Sequence, residues 1–287
     1  MDFEYKKSIV SYYDNTRMDY RFLWFRNKTK SVHFGFFDEH VTTHADSLLN
    51  LNSAMAKRVN ISDGDVILDA GCGQGAGSLW LAENFDVRVS GITLVPHQVK
   101  IAQRQARKHR LEDRISFFEQ DYHHTDFKDE SFSVIWACES MCHAENKADF
   151  YKEAYRLLKP GGRLICADYI RGKRNMPQQD EDLLHDWLSG WSIKDIDTYE
   201  EHEKNASKEG LYSFDVEDIT RYTRPSLQHL HSMSSKLWKL GKFLRKIGLR
   251  NDVNHGNHFA SIKQFEALEN GLWYYGLISA IKSKNPE

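Results

Sequence analysis

The sequence predicts a doubly wound α/β fold with a seven-stranded sheet, a helical N-terminal cap and a C-terminal lid. Three observations carry that expectation: strand and helix patterns alternate through the centre, one strand runs straight into a glycine-rich turn, and the flanks read differently from the centre. Alternation of this kind implies a parallel sheet with helices on both faces. DVILDAG (65–71) reads as the first strand and QGAGSLWLAENF (74–85) as its helix. RVSGITL (88–94) is the second strand. PHQVKIAQRQARKHRL (96–111) follows as a helix, with Pro96 in the first turn where no backbone donor is needed. RISFFEQDY (114–122) and FSVIWACES (132–140) give the third and fourth strands. KADFYKEAYRLLK (147–159) is an amphipathic helix closed by Pro160-Gly161-Gly162, and RLICADYI (163–170) is the fifth strand. SFDVEDI (213–219) and YYGLISAIKS (274–283) return to the sheet.

This divides the protein into a helical cap over 1–60, a core over 61–170, a lid or substrate-binding region with one return strand over 171–273, and a final core strand and tail over 274–287. The flanks are expected to cover the carboxyl edge of the sheet, where ligands bind in such folds. Composition bounds the function. Apolar residues make up 40% and charged residues 28%, which fits a protein with a buried core. A net charge of −2 offers no electrostatic footprint for nucleic acid. No run approaches the roughly 18 apolar residues of a membrane span, and MDFEYKKSIV has no signal-type apolar region. Cys72, Cys138, Cys142 and Cys166 fall in segments read as buried strands or strand ends, which points to a reduced, cytoplasmic setting. The aromatic N-terminus leaves a homo-oligomer open.

Asp69-Ala70-Gly71-Cys72-Gly73-Gln74-Gly75 identifies the ligand class. Glycines let the backbone turn tightly and approach a ligand, and the helix beyond offers free N–H donors. The spacing G-x-G-x-G is one residue short of the NAD fingerprint G-x-G-x-x-G. An acid at the start of the turn repels a pyrophosphate and attracts an ammonium. A ligand with an amino-acid end fits, and S-adenosylmethionine is the candidate. Thr93 and Leu94 close the second strand where a ribose would sit, with Gln98 just beyond. Asp121 closes the third strand, placed to accept from an adenine amino group, and Tyr122 supplies the next backbone N–H. Cys138 and Glu139 end the fourth strand under the sulfonium.

Residues 60–170 resemble the core of the class I S-adenosylmethionine-dependent methyltransferases. Within that class, GITLVPHQVKIA resembles a segment of the tocopherol, cyclopropane-synthase and sterol methyltransferase group, and HFGFFDE resembles its entry segment. CESMCHAENKADFYKEAYRLLKPGG (138–162) resembles the corresponding stretch of the sterol C-methyltransferases, with Glu139, Cys142, His143, Ala144, Lys147 and Tyr151 on matching positions. Prenyl-diphosphate C-methyltransferases share the pair Glu139-Ser140. Sugar O-methyltransferases carry E-S-L-H-H here, the first His acting as base with an Asp after the fifth strand. This sequence has Cys142 in place of that His, although Asp168 is present.

The resemblance implies a methyltransferase for a small, largely apolar acceptor, and the chemistry separates two readings. A hydroxyl acceptor needs a base near neutral pKa. An alkene attacks the methyl group with its π-electrons, and the resulting cation needs a carboxylate, aromatic faces and finally a proton acceptor. The favoured reading is C-methylation of an isoprenoid alkene with Glu139 and His143 catalytic. The alternative is O- or N-methylation of a natural product with His143 or Asp168 as base. Tyr20, Phe34, Trp187 and Trp273 are candidate substrate contacts. Arg221, Arg224, His229, His231, Lys236 and Lys239 read as a solvated face, with a diphosphate clamp as the sharper alternative. His123-His124 and HGNH (255–258) match no zinc spacing, so no metal is expected. An NAD oxidoreductase and an inactive cofactor-binding scaffold are the remaining classes.

Overall fold

The computed structural model describes residues 2–23, 31–248 and 251–284, with side chains over 2–16 in the first of these segments. Two helices lead, α1 (Phe3–Leu23) and α2 (His44–Arg58). The centre then alternates as expected: β1 (Val66–Ala70), α3 (Ala76–Asn84), β2 (Arg88–Thr93), α4 (Pro96–His109), β3 (Ile115–Glu119) and β4 (Phe132–Cys138). A single 3-10 turn (Met141–His143) precedes α5 (Lys147–Leu157) and β5 (Leu158–Arg171). The remainder is α6 (Gln178–Gly190), α7 (Tyr199–Lys208), β6 (Leu211–Asp218), α8 (Thr220–Lys246), α9 (Asp252–Glu269) and β7 (Trp273–Lys282).

The seven strands form one sheet in the order β3-β2-β1-β4-β5-β7-β6. β1 pairs in parallel with β2 on one side and β4 on the other, so the strand order reverses at β1. Such a switch point opens a crevice beyond the carboxyl ends of the two strands, here at Ala70-Gly71 and Cys138-Glu139. β7 runs antiparallel between β5 and β6. The central strands are buried on both faces by the flanking helices. Ile67, Leu68, Val134, Trp136, Leu164 and Ile165 are all essentially inaccessible, which is why these segments read as continuous apolar runs.

Two elements depart from the sequence expectation. Pro160-Gly161-Gly162 does not end α5 as a loop, because β5 already begins at Leu158, which pairs with Phe132. The irregularity is absorbed as a register shift between Phe132 and Val134, with Gly161 at φ +76°. α7 has no counterpart in the expected elements, since EEHEKNASKEG has little apolar periodicity. It is secured at its start by a reciprocal capping box between Thr198 and Glu201. Among the described residues, no helix is long and apolar enough to cross a membrane.

Candidate active site

The switch-point crevice is a cavity walled by the segment after β1, the end of β2, the end of β4 and pieces of the N-terminal flank. Asp69, Gly71 and Gly73 line it from β1 and its turn, and Thr93, Leu94 and Gln98 from β2 and the start of α4. Tyr122, Cys138, Glu139 and His143 complete the sheet side. Ile9 and Tyr13 of α1, the 31–33 segment and Asn52 of α2 close it from above.

The turn is shaped by glycine for two different reasons. Gly71 has φ +88°, and a Cβ there would lie 2.3 Å from the Ser140 Cβ. Ser140 is fixed in that place because its hydroxyl donates to the Ala70 carbonyl at 2.6 Å. Gly73, at φ +52°, has nothing within 4 Å of an added Cβ. Its backbone is bare to the cavity, as a cradle for a ligand requires.

Asp69 is buried and accepts from the Ser78 hydroxyl at 2.6 Å. Burial pushes its carboxyl up to about 6, against the hydrogen bonds from Ser78. Thr93 is committed locally: its hydroxyl donates to Gln98 Oε1 at 2.8 Å and accepts from the Val95 N–H. It therefore orients Gln98 rather than offering a free hydroxyl to a ribose. The Tyr122 hydroxyl donates to the Ser140 carbonyl.

Asp121 does not line the cavity. One oxygen pairs with Lys6 of α1 at 2.7 Å, and the other accepts from the backbone and ring N–H of His123. Burial alone would raise its pKa, but the hydrogen bonds from His123 and Lys6 more than offset this and hold the carboxyl well below the usual range. Both oxygens of Asp121 are thus engaged within the protein, and its side chain is not part of the cavity wall.

Sequence reasoning missed Asn52. It is 1% exposed, it lines the cavity, and neither its amide oxygen nor its amide nitrogen has a partner among the described residues. Trp136 Nε1 and Ser31 Oγ, also on the cavity wall, are in the same condition. Buried polar atoms are almost always hydrogen-bonded, so this grouping at a bare glycine turn fits a polar ligand such as the amino-acid or nucleoside portion of S-adenosylmethionine. The signal lay in the periodicity of α2, where Asn52 falls on the same buried face as Leu48, Leu51 and Met55.

A second, aromatic cavity adjoins the first and shares Tyr13, Val32, Glu139 and His143 with it. Tyr12, Phe34, Tyr169 and Trp191 form its walls, with Ile193 and Leu230. Phe34 thus stands where the sequence expects a substrate contact. Trp187 and Trp273 do not: they pack on each other at 4.7 Å behind Tyr169, fully buried, and the Trp273 indole donates to the Gln264 carbonyl. The side chain of Tyr20 lies outside the described residues.

Glu139 stands at the junction of the two cavities. Its backbone is left-handed, at φ +48°, a conformation that costs a non-glycine residue about 1–2 kcal/mol. Oε1 accepts from the Phe34 N–H and the Tyr275 hydroxyl, both at 2.7 Å, and Oε2 accepts from the Tyr169 hydroxyl at 2.6 Å. Among the described residues it has no cationic partner. Burial pushes its carboxyl up to about 7, against the three hydrogen bonds.

His143 is buried beside it. Its Nδ1–H donates to the Ser192 carbonyl at 3.3 Å, which leaves Nε2 to accept from the Tyr13 hydroxyl at 3.0 Å. Burial lowers its pKa to about 4, so it is a neutral and weak base. Asp168 lies off both cavities, one oxygen accepting from the Cys142 N–H and the other from the Tyr169 N–H. Lys147 and Tyr151 are structural. The Lys147 ammonium donates to the carbonyls of Cys142, Ala144 and Asp195, and the Tyr151 hydroxyl bonds His202. None of Arg221, Arg224, His229, His231, Lys236 and Lys239 lines either cavity. Among the described residues, no group of three or more His, Cys, Asp or Glu is placed to hold a metal ion.

Comparison with known proteins decides the family. The family described as Methyltransferase domain matches residues 68–166. The 27-O-demethylrifamycin SV methyltransferase of Amycolatopsis mediterranei is 31% identical over 206 residues, covering 71% of this protein and 73% of that one. The protein belongs to the class I S-adenosylmethionine-dependent methyltransferases. Its relatives span several acceptors. A sterol 24-C-methyltransferase of Eremothecium gossypii is 33% identical over 167 residues, 58% of this protein and 43% of that one. In fold, the methyltransferase is similar to the geranyl diphosphate C-methyltransferase of Streptomyces coelicolor A3(2), with a TM-score of 0.74 and 19% identity over 97% of this protein and 98% of that one. S-adenosylmethionine is its methyl donor, and the glycine turn, Asn52 and Gln98 are the groups in the cavity suited to hold it.

Proposed function

We propose that this methyltransferase acts on carbon, methylating an alkene of a neutral, largely apolar isoprenoid-type acceptor seated in the aromatic cavity. One observation carries the reading: a half-buried carboxylate, Glu139, held by two tyrosine hydroxyls and one backbone N–H, with no cationic partner among the described residues, at the junction of cofactor and acceptor cavities. An ion in that position is a counter-charge awaiting a cation, because burying an unpaired carboxylate is otherwise costly.

When bound, S-adenosylmethionine supplies a methyl group on a positively charged sulfur. The alkene π-pair forms the new carbon–carbon bond as the methyl–sulfur bond breaks, its electron pair staying on sulfur. Positive charge then appears on the neighbouring acceptor carbon, where the faces of Phe34, Tyr169 and Trp191 and the Glu139 anion stabilise it. Glu139, with a pKa near 7, takes the adjacent proton and leaves a new double bond. Tyr169 and Tyr275 hold both carboxylate oxygens, so the charge is positioned before the reaction starts.

His143 does not fit the alternative of a hydroxyl base: burial holds its pKa near 4, and its one lone pair already accepts from Tyr13. Asp168 is turned away from the acceptor. The absence of Lys or Arg among the described residues of the aromatic cavity also disfavours a diphosphate acceptor. One observation favours methylation on oxygen: a relative matched over most of its length is named for a 27-O-demethyl substrate. On that reading Glu139 itself is the suitably poised base.

The test is transfer of labelled methyl to a panel of acceptors: a sterol, squalene-type alkenes, prenyl diphosphates and a hydroxylated polyketide. The site of methylation is mapped in each product. Product on carbon, lost with Glu139→Gln and kept with His143→Ala, supports the proposal. Product on oxygen overturns it in favour of the base reading.

A further inference from the structure

The second half of α8 carries a surface that neither cavity uses. From Lys236 to Gly248, two residues past its end, the sequence is KLWKLGKFLRKIG, with five cations and no acid. Three sectors follow from the helical spacing. Trp238 and the buried Gly241 turn inward, where Trp238 stacks on His255 and Phe259 of α9. On the outer side, Leu237, Leu240, Phe243 and Ile247 recur at three- and four-residue intervals and form one continuous apolar stripe. They are 42%, 52%, 58% and 49% exposed, and they make up half of the strongly exposed large apolar side chains among the described residues. Lys239, Lys242 and Lys246 run alongside the stripe. Lys242 leans over Trp238 and Arg245 pairs with Asp252, whereas Lys236, Lys239 and Lys246 make no ion pair among the described residues.

We propose that this face of α8 docks the enzyme on an anionic lipid bilayer, lying in the plane of the headgroups. The combination is what an interfacial helix needs: an apolar stripe to enter the acyl boundary and a row of cations beside it for anionic headgroups. A protein partner would need acids to match these lysines and a shaped groove for the stripe. A lipid surface supplies charge and apolar depth along its whole plane. The protein as a whole is slightly acidic, with a net charge of −2, so the attraction is local to this helix and not a general property of the surface. No described helix can span a bilayer, so the contact is peripheral.

The experiment is flotation of the purified protein with vesicles of phosphatidylcholine mixed with phosphatidylglycerol, and with vesicles of phosphatidylcholine alone. Leu240→Ser/Phe243→Ser and Lys239→Ser/Lys246→Ser variants run alongside. All four positions are exposed, so melting temperature and S-adenosylmethionine affinity serve as controls that the fold is intact. The expected result is binding to the anionic vesicles only, reduced about tenfold or more in each variant and weakened by salt. Failure of the wild-type protein to float with anionic vesicles overturns the proposal, and so does equal binding by both variants. If the wild type sediments as a dimer that Leu240→Ser/Phe243→Ser dissociates, with no vesicle binding, the proposal falls and the stripe is a contact between two copies of the protein.

Discussion

Replacing Glu139 by glutamine removes one charge while keeping the shape, and its effect on the ligand-free protein depends on pH. In the folded protein, burial lifts the Glu139 carboxyl from an ordinary 4.5 to about 7. That gap corresponds to ~3 kcal/mol. A raised acid pKa means the folded state holds the proton more tightly than the unfolded state. The favourable contribution is therefore fully present below about 4.5 and is lost as pH rises through about 7. Glutamine resembles the protonated form at every pH, since a tyrosine hydroxyl can donate or accept. Glu139→Gln should match the wild type in thermal stability below about pH 4.5, gain on it between there and pH 7, and exceed it above 7 by ~3 kcal/mol or roughly 5 °C and more. Thermal melts across that range are the assay. A constant offset between the two proteins at all pH values would refute the reasoning, because it would mean that Glu139 ionises as easily in the fold as outside it.

The same carboxylate makes a matching demand on ligands. S-adenosylmethionine carries a positive sulfur, whereas S-adenosylhomocysteine is neutral there. With Glu139 as the counter-charge, wild-type preference for the cationic ligand should grow as pH rises towards about 7 and level off above it. Each pKa unit of coupling is tenfold in affinity. Glu139→Gln should remove the pH dependence and leave affinity for S-adenosylhomocysteine nearly unchanged. Calorimetric titration of both ligands reads this without any acceptor present, so it separates the charge argument from the choice of substrate.

Other consequences are sharp enough to measure. Asn52→Ala should weaken S-adenosylhomocysteine binding about tenfold, while the ligand-free melting temperature stays level or rises, because two unpartnered buried polar atoms are removed. Gly71→Ala forces a side chain to within 2.3 Å of Ser140 at a positive φ, and should abolish cofactor binding or folding by calorimetry and circular dichroism. Lys147→Ala leaves the carbonyls of Cys142, Ala144 and Asp195 without this donor, and should cost about 3 kcal/mol in denaturant unfolding while any folded protein retains cofactor affinity.

The fold was legible because its cues are local. Alternating apolar runs and amphipathic helices fix the order of elements, and the glycine turn falls on the wall of the switch-point cavity. What escaped the sequence reading depends on side chains meeting across long separations. Asp121 ends the expected strand, but Lys6, far away in sequence, takes its second oxygen. Trp187 and Trp273 have the composition of a substrate cage and are spent on each other. Conversely, Asn52 sits in an ordinary-looking helix and becomes visible only when its amide is found buried with no partner among the described residues.

The segment around Glu139 shows how motif and mechanism separate. Its resemblance to sterol C-methyltransferases rests on Glu139, Cys142, His143, Ala144, Lys147 and Tyr151 as one string. In three dimensions that string divides. The Lys147 ammonium ties the carbonyls of Cys142 and Ala144 to that of Asp195, and Tyr151 bonds His202, so these residues fix the turn. Glu139 and His143 are delivered to the junction of the two cavities, and of the two it is Glu139 that brings an acidic group there, on a strained backbone and between two tyrosines. The motif is therefore mostly a device for presenting one carboxylate. On the proposed function, the acceptor is chosen elsewhere, by the walls that Phe34, Trp191 and Leu230 bring from distant parts of the sequence. Relatives that share the string can accordingly differ in acceptor, and changes at Phe34 or Leu230 should alter acceptor preference while leaving S-adenosylhomocysteine affinity intact.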